Sequence, residues 1–255
     1  MKAVRAAITA MGLLAAWQAI VWATGVPPFI LPGPLAVGRA LATHPLLLAE
    51  HARVTLTEIL LGVGLGTTIG ASTAVVLSMS GTARRWLMPL LVVSQALPVF
   101  ALAPLLVLWL GYGMASKVAM AVLIIYFPVT AAFLDGLRRT DPGWLELARS
   151  MDATAVGVVR HIRVPAALPA LASGLRVAAA VAPIGAVVGE WVGSSAGLGY
   201  LMLHANARMQ VDLMFAALLV LASMALLLWI AADRGGRALA RWQPESTMAV
   251  PGGVH

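Results

Sequence analysis

Long apolar stretches separated by short polar intervals run through this sequence. A helix needs about 20 predominantly apolar residues to cross the roughly 30 Å hydrocarbon core of a membrane. Six stretches reach or approach that length, so the pattern predicts an all-α membrane protein with six transmembrane helices. Their expected positions are 6–23, 51–80, 87–110, 117–134, 170–188 and 213–232.

Small residues recur at intervals of four inside two of the predicted spans. Gly62, Gly66 and Gly70 form such a series in the second span, and Gly185 and Gly189 form one in the fifth. Small side chains let another helix approach closely. We therefore predict tight helix packing at both places, either within one chain or between two chains.

Composition favours a membrane protein over a soluble domain. Of the 255 residues, 61% are hydrophobic and 11% are charged, and the mean hydropathy is +0.92. The net charge of +7 would suit a nucleic-acid partner, but the basic residues lie in short loops between the spans. We therefore expect contact with membrane lipid and none with nucleic acid. The chain has no cysteine, which excludes disulfides and thiolate chemistry.

The distribution of basic residues predicts how the spans are oriented. Of the 17 Lys and Arg residues, 13 fall on one side of the six-span topology, and the other four are Arg39, Arg53, Lys117 and Arg208. Basic residues are enriched in cytoplasmic loops, so we expect a multi-pass membrane protein with both termini in the cytoplasm. The first span also fits a cleaved signal peptide, although Trp17, Gln18 and Trp22 favour a retained helix.

The longest polar interval, Glu146–Pro165, lies between the fourth and fifth spans. Apolar residues at helical spacing predict two short amphipathic helices in it, with a turn near Asp152. We expect Asp152 to be the N-cap of the second helix. A polar helix pair cannot lie in lipid, so this interval must face water and is a candidate contact with a partner.

In its spacing the interval resembles the EAA loop of ABC-importer permeases, and the matching positions are Glu146, Ala148, Asp152, Ile162, Val164 and Pro165. Three positions depart from that pattern, and the largest departure is Asp152 in place of a glycine that permits a left-handed turn. The resemblance implies a coupling helix that docks into a groove on a cytoplasmic ATPase. It assigns the coupling to Glu146, Ala148, Arg149, Asp152, Ile162 and Pro165. The alternative is a solvated loop that happens to be helical.

Most of the remaining chain resembles one branch of these permeases, which serves sulfonates, nitrate, taurine and thiamine precursors. The segments that carry this likeness are 31–41, 51–70, 97–117, 168–178 and 189–202. The resemblance implies a type I ABC-importer permease fold. It divides the chain into an N-terminal transmembrane helix with an outer-face segment (1–50), a permease domain (51–235) that contains the coupling loop (137–168), and a cytoplasmic tail (236–255).

The resemblance also implies the partners. They are a second copy of the chain in a homodimer, two cytoplasmic ABC ATPase subunits, and a periplasmic or lipid-anchored substrate-binding protein. A phosphate-binding Walker A loop needs a Gly-Lys pair, but the only lysines, Lys2 and Lys117, follow Met and Ser. We therefore expect ATP and Mg²⁺ on the partner ATPase, and no cofactor, catalytic residue or metal site in this chain.

Five residues are candidates for the substrate pathway. Ser94, Gln95 and Pro98 are polar or helix-breaking positions within the third span, where backbone groups freed by proline must face protein or water. Glu190 and Trp191 stand at the outer end of the fifth span, where they are candidates for gating the exit from the binding protein. The alternatives are an interhelical hydrogen bond in the third span and a carboxylate that simply sits in water in the fifth.

Three further charged residues stand near the outer ends of the spans. Glu58 is costly in lipid, so we expect an internal partner such as Arg53, or a position at the outer surface. Arg39 and Arg53 are either contacts for an acidic binding protein or solvated charges.

The function that the resemblance implies is ATP-driven import of a small solute across the bacterial cytoplasmic (inner) membrane. Residues 189–221 are most similar to permeases for hydroxymethylpyrimidine-type thiamine precursors, and the alternative substrates are sulfonate, taurine or nitrate. An ion-coupled secondary transporter is a different class, which usually has ionisable residues near the bilayer midplane. A membrane anchor without transport activity would not require the prolines and the glutamine of the third span.

Overall fold

The structure is a computed structural model that describes residues 2–240 and Trp242. Within those residues the chain is helical and contains no strand. A π-helical turn, Val159–Arg163, joins α8 to α9. The α-helices are α1 (Lys2–Thr24), α2 (Pro34–Thr43), α3 (Pro45–Met79), α4 (Gly81–Ala96), α5 (Val99–Leu110), α6 (Met114–Arg138), α7 (Pro142–Ser150), α8 (Ala155–Val158), α9 (Val164–Gly193), α10 (Leu198–Ala207) and α11 (Val211–Leu239).

Five segments of the described chain are long and apolar enough to cross a membrane, namely α1, α3, α6, the α8–α9 segment and α11. Helices α4 and α5 together are also long and apolar enough, but they are bent by 100° at the break between them. Counting that pair as one broken span gives the six predicted transmembrane helices. The chain is therefore a multi-pass, all-α membrane protein, as the sequence predicted.

The third span differs from the prediction, which treated 87–110 as one helix. Pro98 is the N-cap of α5, and Leu97 before it is extended, with φ −76° and ψ 121°. A proline lacks a backbone donor and pushes the preceding residue out of the helical region. Leu97 and Pro98 therefore end α4 and redirect the chain into α5.

Helix α6 lies at the centre of the bundle, between α3 and α9. On the α3 side, Gly62 faces Ala121, and a Cβ atom at Gly70 would lie 2.6 Å from the carbonyl oxygen of Tyr126. On the α9 side, a Cβ atom at Gly185 would lie 2.7 Å from the Cα atom of Ala121. The predicted close packing at both glycine series is confirmed, and it lies within one chain.

The contacts along α6 show that α3 runs parallel to it and α9 antiparallel. The bundle therefore has one end that carries α7 and α8, the α7 end, and an opposite end that carries α2 and α10, the α10 end. Helix α10 was not predicted, because the sequence indicated only an outer segment over 190–212. The predicted tail, 236–255, begins inside α11, and beyond Trp242 it lies outside the described residues.

Candidate coupling site and pathway

Helix α7 ends in a tight turn at Asp152. The N–H of Ala153 donates to the carbonyl of Ala148, and the N–H of Asp152 donates to the carbonyl of Arg149, both at 3.0 Å. This pair of bonds is the Schellman motif, which closes a helix. Asp152 has φ +53°, in the left-handed region that favours glycine and that Asp tolerates better than most residues. Asp152 therefore terminates the first short helix.

Thr154, and not Asp152, is the N-cap of α8. The Oγ1 atom of Thr154 accepts a hydrogen bond from the N–H of Gly157 at 3.1 Å, and its backbone is extended as an N-cap requires. The predicted capping role of Asp152 is wrong because the left-handed turn that closes α7 uses this residue. Helix α7 has its own cap at Asp141, whose Oδ1 accepts from the N–H of Gly143 at 2.7 Å.

The second short helix does not end at Pro165, as predicted, but continues into α9. Residues 159–163 form the π-helical turn, in which the first N–H of α9 donates to the carbonyl of Val159. Pro165 has no N–H to donate and occupies the first turn of α9, where proline is tolerated. Nη1 of Arg163 donates to the carbonyl of Ser78 at 3.5 Å. The α7–α8 element is thus continuous with one transmembrane helix and linked to the end of another.

An apolar groove with a volume of about 650 Å³ opens between α7 and the α8–α9 segment. Trp144, Leu147 and Met151 lie on the α7 side, and they are 56%, 61% and 73% exposed. Ile162 and Pro165 lie on the other side. Contiguous large apolar side chains exposed on one face are typical of a site that binds another protein. We call this surface the α7 groove.

The structure divides the six predicted coupling residues. Three of them line the α7 groove, namely Ala148, Ile162 and Pro165. Glu146 is exposed beside the groove, and Asp152 forms the turn. Arg149 lines a separate cavity of about 400 Å³ between this element and the end of α3.

Trp144, Leu147 and Trp242 were not among the residues predicted for this surface. Trp144, Leu147 and Met151 follow a helical stripe of spacing i, i+3 and i+7, which was the available signal. Trp242 also lines the groove. It follows α11, and no local pattern connects it with α7.

The bend between α4 and α5 holds three predicted pathway residues. Ser94 Oγ forms a hydrogen bond with the hydroxyl of Tyr126 on α6, which is the interhelical contact given as the alternative. Gln95 and Pro98 are exposed. No side chain of α4 is buried within the part of this single chain that the structure describes. Gln95 therefore stands on a helix face that the chain itself leaves uncovered.

Glu190 lies inside the protein, with 1% of its surface exposed. Its Oε1 accepts a hydrogen bond from Thr55 Oγ1 at 2.6 Å. Its Oε2 accepts bonds from the N–H groups of Gly199 at 2.5 Å and Tyr200 at 3.3 Å. The alternative of a carboxylate that simply sits in water is therefore wrong. The neighbouring Trp191 is 43% exposed.

Glu58 pairs with Lys117. The Nζ atom of Lys117 lies 3.3 Å from Oε1 of Glu58, and Glu58 is fully buried. The predicted pairing with Arg53 is wrong, because Arg53 lies five residues earlier and about 140° around the same helix. Arg53 is exposed there, as is Arg39. The parallel packing of α3 and α6 places Lys117 against the face of α3 that carries Glu58, and Arg53 points away from that face.

Two other kinds of site to consider are a hydrolase nucleophile and a metal centre. The segment 193–197, GSSAG, fits the G-x-S-x-G pattern of hydrolase nucleophiles. It joins two helices, whereas that nucleophile follows a strand, so the match does not indicate a hydrolase. Among the residues that the structure describes, no three His, Asp or Glu side chains are grouped so that they would hold a metal ion.

Residues 66–243 match the family described as binding-protein-dependent transport system inner membrane component. The chain belongs to this family. The match runs from the middle of α3 past the end of α11 and includes α7, α8 and the bend between α4 and α5. The resemblance to ABC-importer permeases is therefore confirmed.

Three relatives show what kind of permease this chain is similar to. A probable ABC transporter permease protein of Haemophilus influenzae is 59% identical, over 87% of this chain and 90% of that protein. The riboflavin transport system permease RibX of Chloroflexus aurantiacus is 39% identical, over 92% and 89%. The formylaminopyrimidine transport permease ThiX of Halalkalibacterium halodurans is 36% identical, over 85% and 87%. All three are permeases and none is named as an enzyme.

Solved structures agree with the predicted fold. A chain of the MetNI methionine ABC transporter, in an inward-facing conformation, superposes with a TM-score of 0.68 at 21% identity. The superposition covers 77% of this chain and 98% of that chain. The type I ABC-importer permease fold is thereby confirmed. Such a permease works in a complex with ATPase partners.

Proposed function

We propose that this permease carries a small solute, delivered by a binding protein, into the bacterial cytoplasm in a cycle driven by ATP. In the proposed complex, two copies of the chain form a homodimer, and two ABC ATPase subunits bind it from the cytoplasm. One periplasmic or lipid-anchored binding protein supplies the substrate. Both termini lie in the cytoplasm, so the α7 end faces inward and the α10 end faces outward. The unequal distribution of basic residues supports this orientation.

The observation that carries the proposal is the geometry of the α7–α8 element. Its two helices have defined caps, and the turn between them is closed by hydrogen bonds. It presents the exposed α7 groove, and through the π-helical turn it continues directly into α9. A rigid element that docks on the ATPase and continues into a transmembrane helix can transmit motion from the ATPase to that helix.

The exposed faces of α4 and α5 support the proposal that a second copy of the chain binds there. Leu90, Phe100 and Leu108 are 64%, 56% and 77% exposed, and Trp109 on the same bent pair is 71% exposed. In the homodimer the two bent pairs face each other around the pathway. Gln95, exposed at the bend, would then line the route. Lipid covers the part of these faces that the second copy leaves free.

ATP and Mg²⁺ are bound by the partner ATPase in this proposal. The chain lacks the Gly-Lys pair of a Walker A loop, so it has no phosphate cradle of that kind. Its own contribution is mechanical. It receives the motion of the ATPase pair at the α7 groove and changes the access of the pathway from outside to inside.

The proposed substrate is a hydroxymethylpyrimidine-type thiamine precursor. Two of the relatives are named for the transport of formylaminopyrimidine and of riboflavin. Both compounds are nitrogen heterocycles, which supports a pyrimidine as the substrate of this chain. Sulfonate, taurine or nitrate is the alternative. Isothermal titration calorimetry of the binding protein encoded with this chain distinguishes the two substrate classes. Binding of a pyrimidine supports the first class, and binding of a sulfonate or nitrate with no pyrimidine affinity supports the second.

Reconstitution tests the proposed function directly. The chain, the ATPase and the binding protein are assembled in liposomes, and uptake of the ligand found by titration is followed with and without ATP. We expect uptake only with all three proteins and ATP. Uptake by the chain alone, driven by an ion gradient, would support a secondary transporter and overturn the proposal.

The orientation is tested with a reporter that is active only in the cytoplasm. Fusions after Arg139 and after Arg241 should be active, and a fusion after Asn206 should be inactive. Activity after Asn206 would reverse the proposed topology.

A further inference from the structure

We propose that Thr55 and Glu190 act as a latch that holds α10 against α3 and α9 while the outer side of the pathway is closed. The inference rests on the proposed function, which makes the α10 end the outer end. It concerns the segment 194–210, which neither spans the membrane nor belongs to the α7–α8 element. In this reading Thr55 and Glu190 are positioning residues that do not contact the substrate.

The first four N–H groups at the start of α10 are all bound by side chains of other helices. The first N–H groups of a helix have no partner within it, so they need partners from elsewhere. Here α3 supplies two of the partners and α9 supplies the third. The bonds are Gly197 N–H to His51 Nδ1 at 2.9 Å, Leu198 N–H to Thr55 Oγ1 at 2.7 Å, and the N–H groups of Gly199 and Tyr200 to Glu190 Oε2 at 2.5 and 3.3 Å.

Thr55 connects the two sides of this arrangement. Its hydroxyl accepts the bond from Leu198 and donates to Glu190 Oε1 at 2.6 Å. Thr55 is fully buried, and Glu190 is 1% exposed. One hydroxyl therefore joins α3, α9 and the start of α10 in a site without water access.

The start of α10 packs directly against the side chain of Glu190. A Cβ atom at Gly197 would lie 2.2 Å from the carboxyl carbon of Glu190. A small shift of α10 would take the N–H donors away from a carboxylate that is still buried, which is costly. Helix α10 is therefore stable when fully docked, or when it has moved far enough for water to reach Glu190. Such an arrangement has two states.

Two residues with positive φ flank α10. Met209, after it, has φ +58° in a Schellman turn like that at Asp152, because the N–H of Gln210 donates to the carbonyl of Ala205 at 2.8 Å. Gly197, before it, has φ +118°, which glycine adopts without strain. Rotation at Gly197 would move α10 as a unit, in the way that hinges of a few residues move lids.

Helix α9 connects the latch with the α7–α8 element, on which the ATPase is proposed to dock. Glu190 stands near one end of α9, and the other end continues through the π-helical turn into α8. A displacement of the α7–α8 element would pass along α9 to Glu190. Thr55 stands on α3, which meets that element at the Arg163–Ser78 bond instead of being continuous with it. The relative movement of α9 and α3 would open the latch when ATP binds and the outer side opens.

Cysteine accessibility tests the proposal, because the natural chain contains no cysteine. Leu198 is fully buried at the start of α10, and Leu203 in the same helix is 44% exposed. Leu198→Cys reports release of α10, and Leu203→Cys is the matched control. Each variant is reconstituted with the ATPase and the binding protein, and its reaction with a water-soluble maleimide is timed without nucleotide and after trapping with ATP and vanadate.

We expect the cysteine at position 198 to react slowly without nucleotide and at least about tenfold faster in the trapped complex. The cysteine at position 203 should react quickly in both. Slow reaction at position 198 in both states, in a complex that imports substrate, would show that α10 stays docked through the cycle and would overturn the proposal. Failure of the complex with the natural chain to import any substrate would instead refute the proposed function.

Thr55→Val in the Leu198→Cys background removes the hydroxyl and keeps the shape of the side chain. The substitution removes the bond to Glu190 and the bond from Leu198. We expect the maleimide reaction without nucleotide to become at least about tenfold faster, since loss of the bond to the charged group alone has about that effect. Thr55→Ser, which retains the hydroxyl, should restore the slow rate. If Thr55→Val lowers only the yield of folded complex, and the folded fraction still reacts slowly, the residue is merely structural and the latch is refuted.

Discussion

The Nζ atom of Lys117 lies 3.3 Å from Oε1 of Glu58 and joins α6 to α3 inside the bundle. Glu58 is fully buried, and among the described residues neither of its oxygens has a hydrogen-bond donor in good geometry. Breaking a buried pair on one side leaves an uncompensated charge and costs about 3–5 kcal/mol. We therefore expect Lys117→Met to lower the free energy of unfolding by roughly that amount, as measured by denaturation of the purified chain in detergent.

The double variant Lys117→Met, Glu58→Gln is the control for that prediction. It removes both charges, so we expect it to recover most of the lost stability. Equal stability of the wild type and Lys117→Met would show that the pair carries no net stabilisation.

The contact between α3 and α6 at Gly70 predicts a second effect on stability. Gly70→Ala places a methyl group 2.6 Å from the carbonyl oxygen of Tyr126, so the two helices must separate. We expect a loss of about 1–3 kcal/mol, as for other overpacked cores. Gly64→Ala on the same helix is the control, because nothing lies within 4 Å of its added methyl group. It should be neutral or stabilise by up to about 1 kcal/mol. Similar losses in both would contradict the packing argument.

The turn at Asp152 predicts opposite outcomes for two substitutions. Asp152→Gly should preserve uptake and stabilise the turn slightly, because glycine adopts φ +53° without strain. Asp152→Pro cannot adopt that angle, since proline fixes φ near −65°. We expect it to stop uptake while ATP hydrolysis persists, or loses its response to the loaded binding protein. Parallel assays of uptake and phosphate release measure both. Normal uptake with Asp152→Pro would show that the α7–α8 turn has no role in coupling.

The α7 groove predicts a site of partner binding. Leu147→Asp places a charge in an apolar, 61% exposed position, so it should weaken co-purification of the ATPase by at least about tenfold with little effect on folding. Leu46→Asp is the control at the α10 end, where the leucine is 84% exposed. Undiminished ATPase binding by Leu147→Asp would exclude the groove as the docking surface.

Two neighbouring residues at the bend between α4 and α5 predict different phenotypes. Gln95→Leu should reduce uptake several-fold and leave assembly intact, because Gln95 is exposed on the face proposed to line the pathway. Ser94→Ala should lower stability by about 1 kcal/mol, because it removes the bond to Tyr126. Size-exclusion chromatography and uptake assays separate the two effects. Loss of assembly with Gln95→Leu would assign that residue a structural role instead.

The sequence was sufficient for the features that depend on local composition and spacing. Apolar runs of membrane length predicted the six spans, and the spacing of Gly62, Gly66 and Gly70 predicted close helix packing. The polar interval 146–165 predicted two short helices and a turn at Asp152. These predictions succeeded because span length, helical periodicity and turn preference are set by residues close together in the chain.

Only the tertiary structure decided which side chains meet. Glu58 pairs with Lys117, 59 positions away, and not with Arg53 on its own helix. Glu190 binds Thr55 and the start of α10 rather than water, and Trp242 joins the α7 groove. Such partners follow from the order and direction in which the helices pack. A periodic pattern shows which face of a helix is apolar, but it does not show which other helix lies against that face.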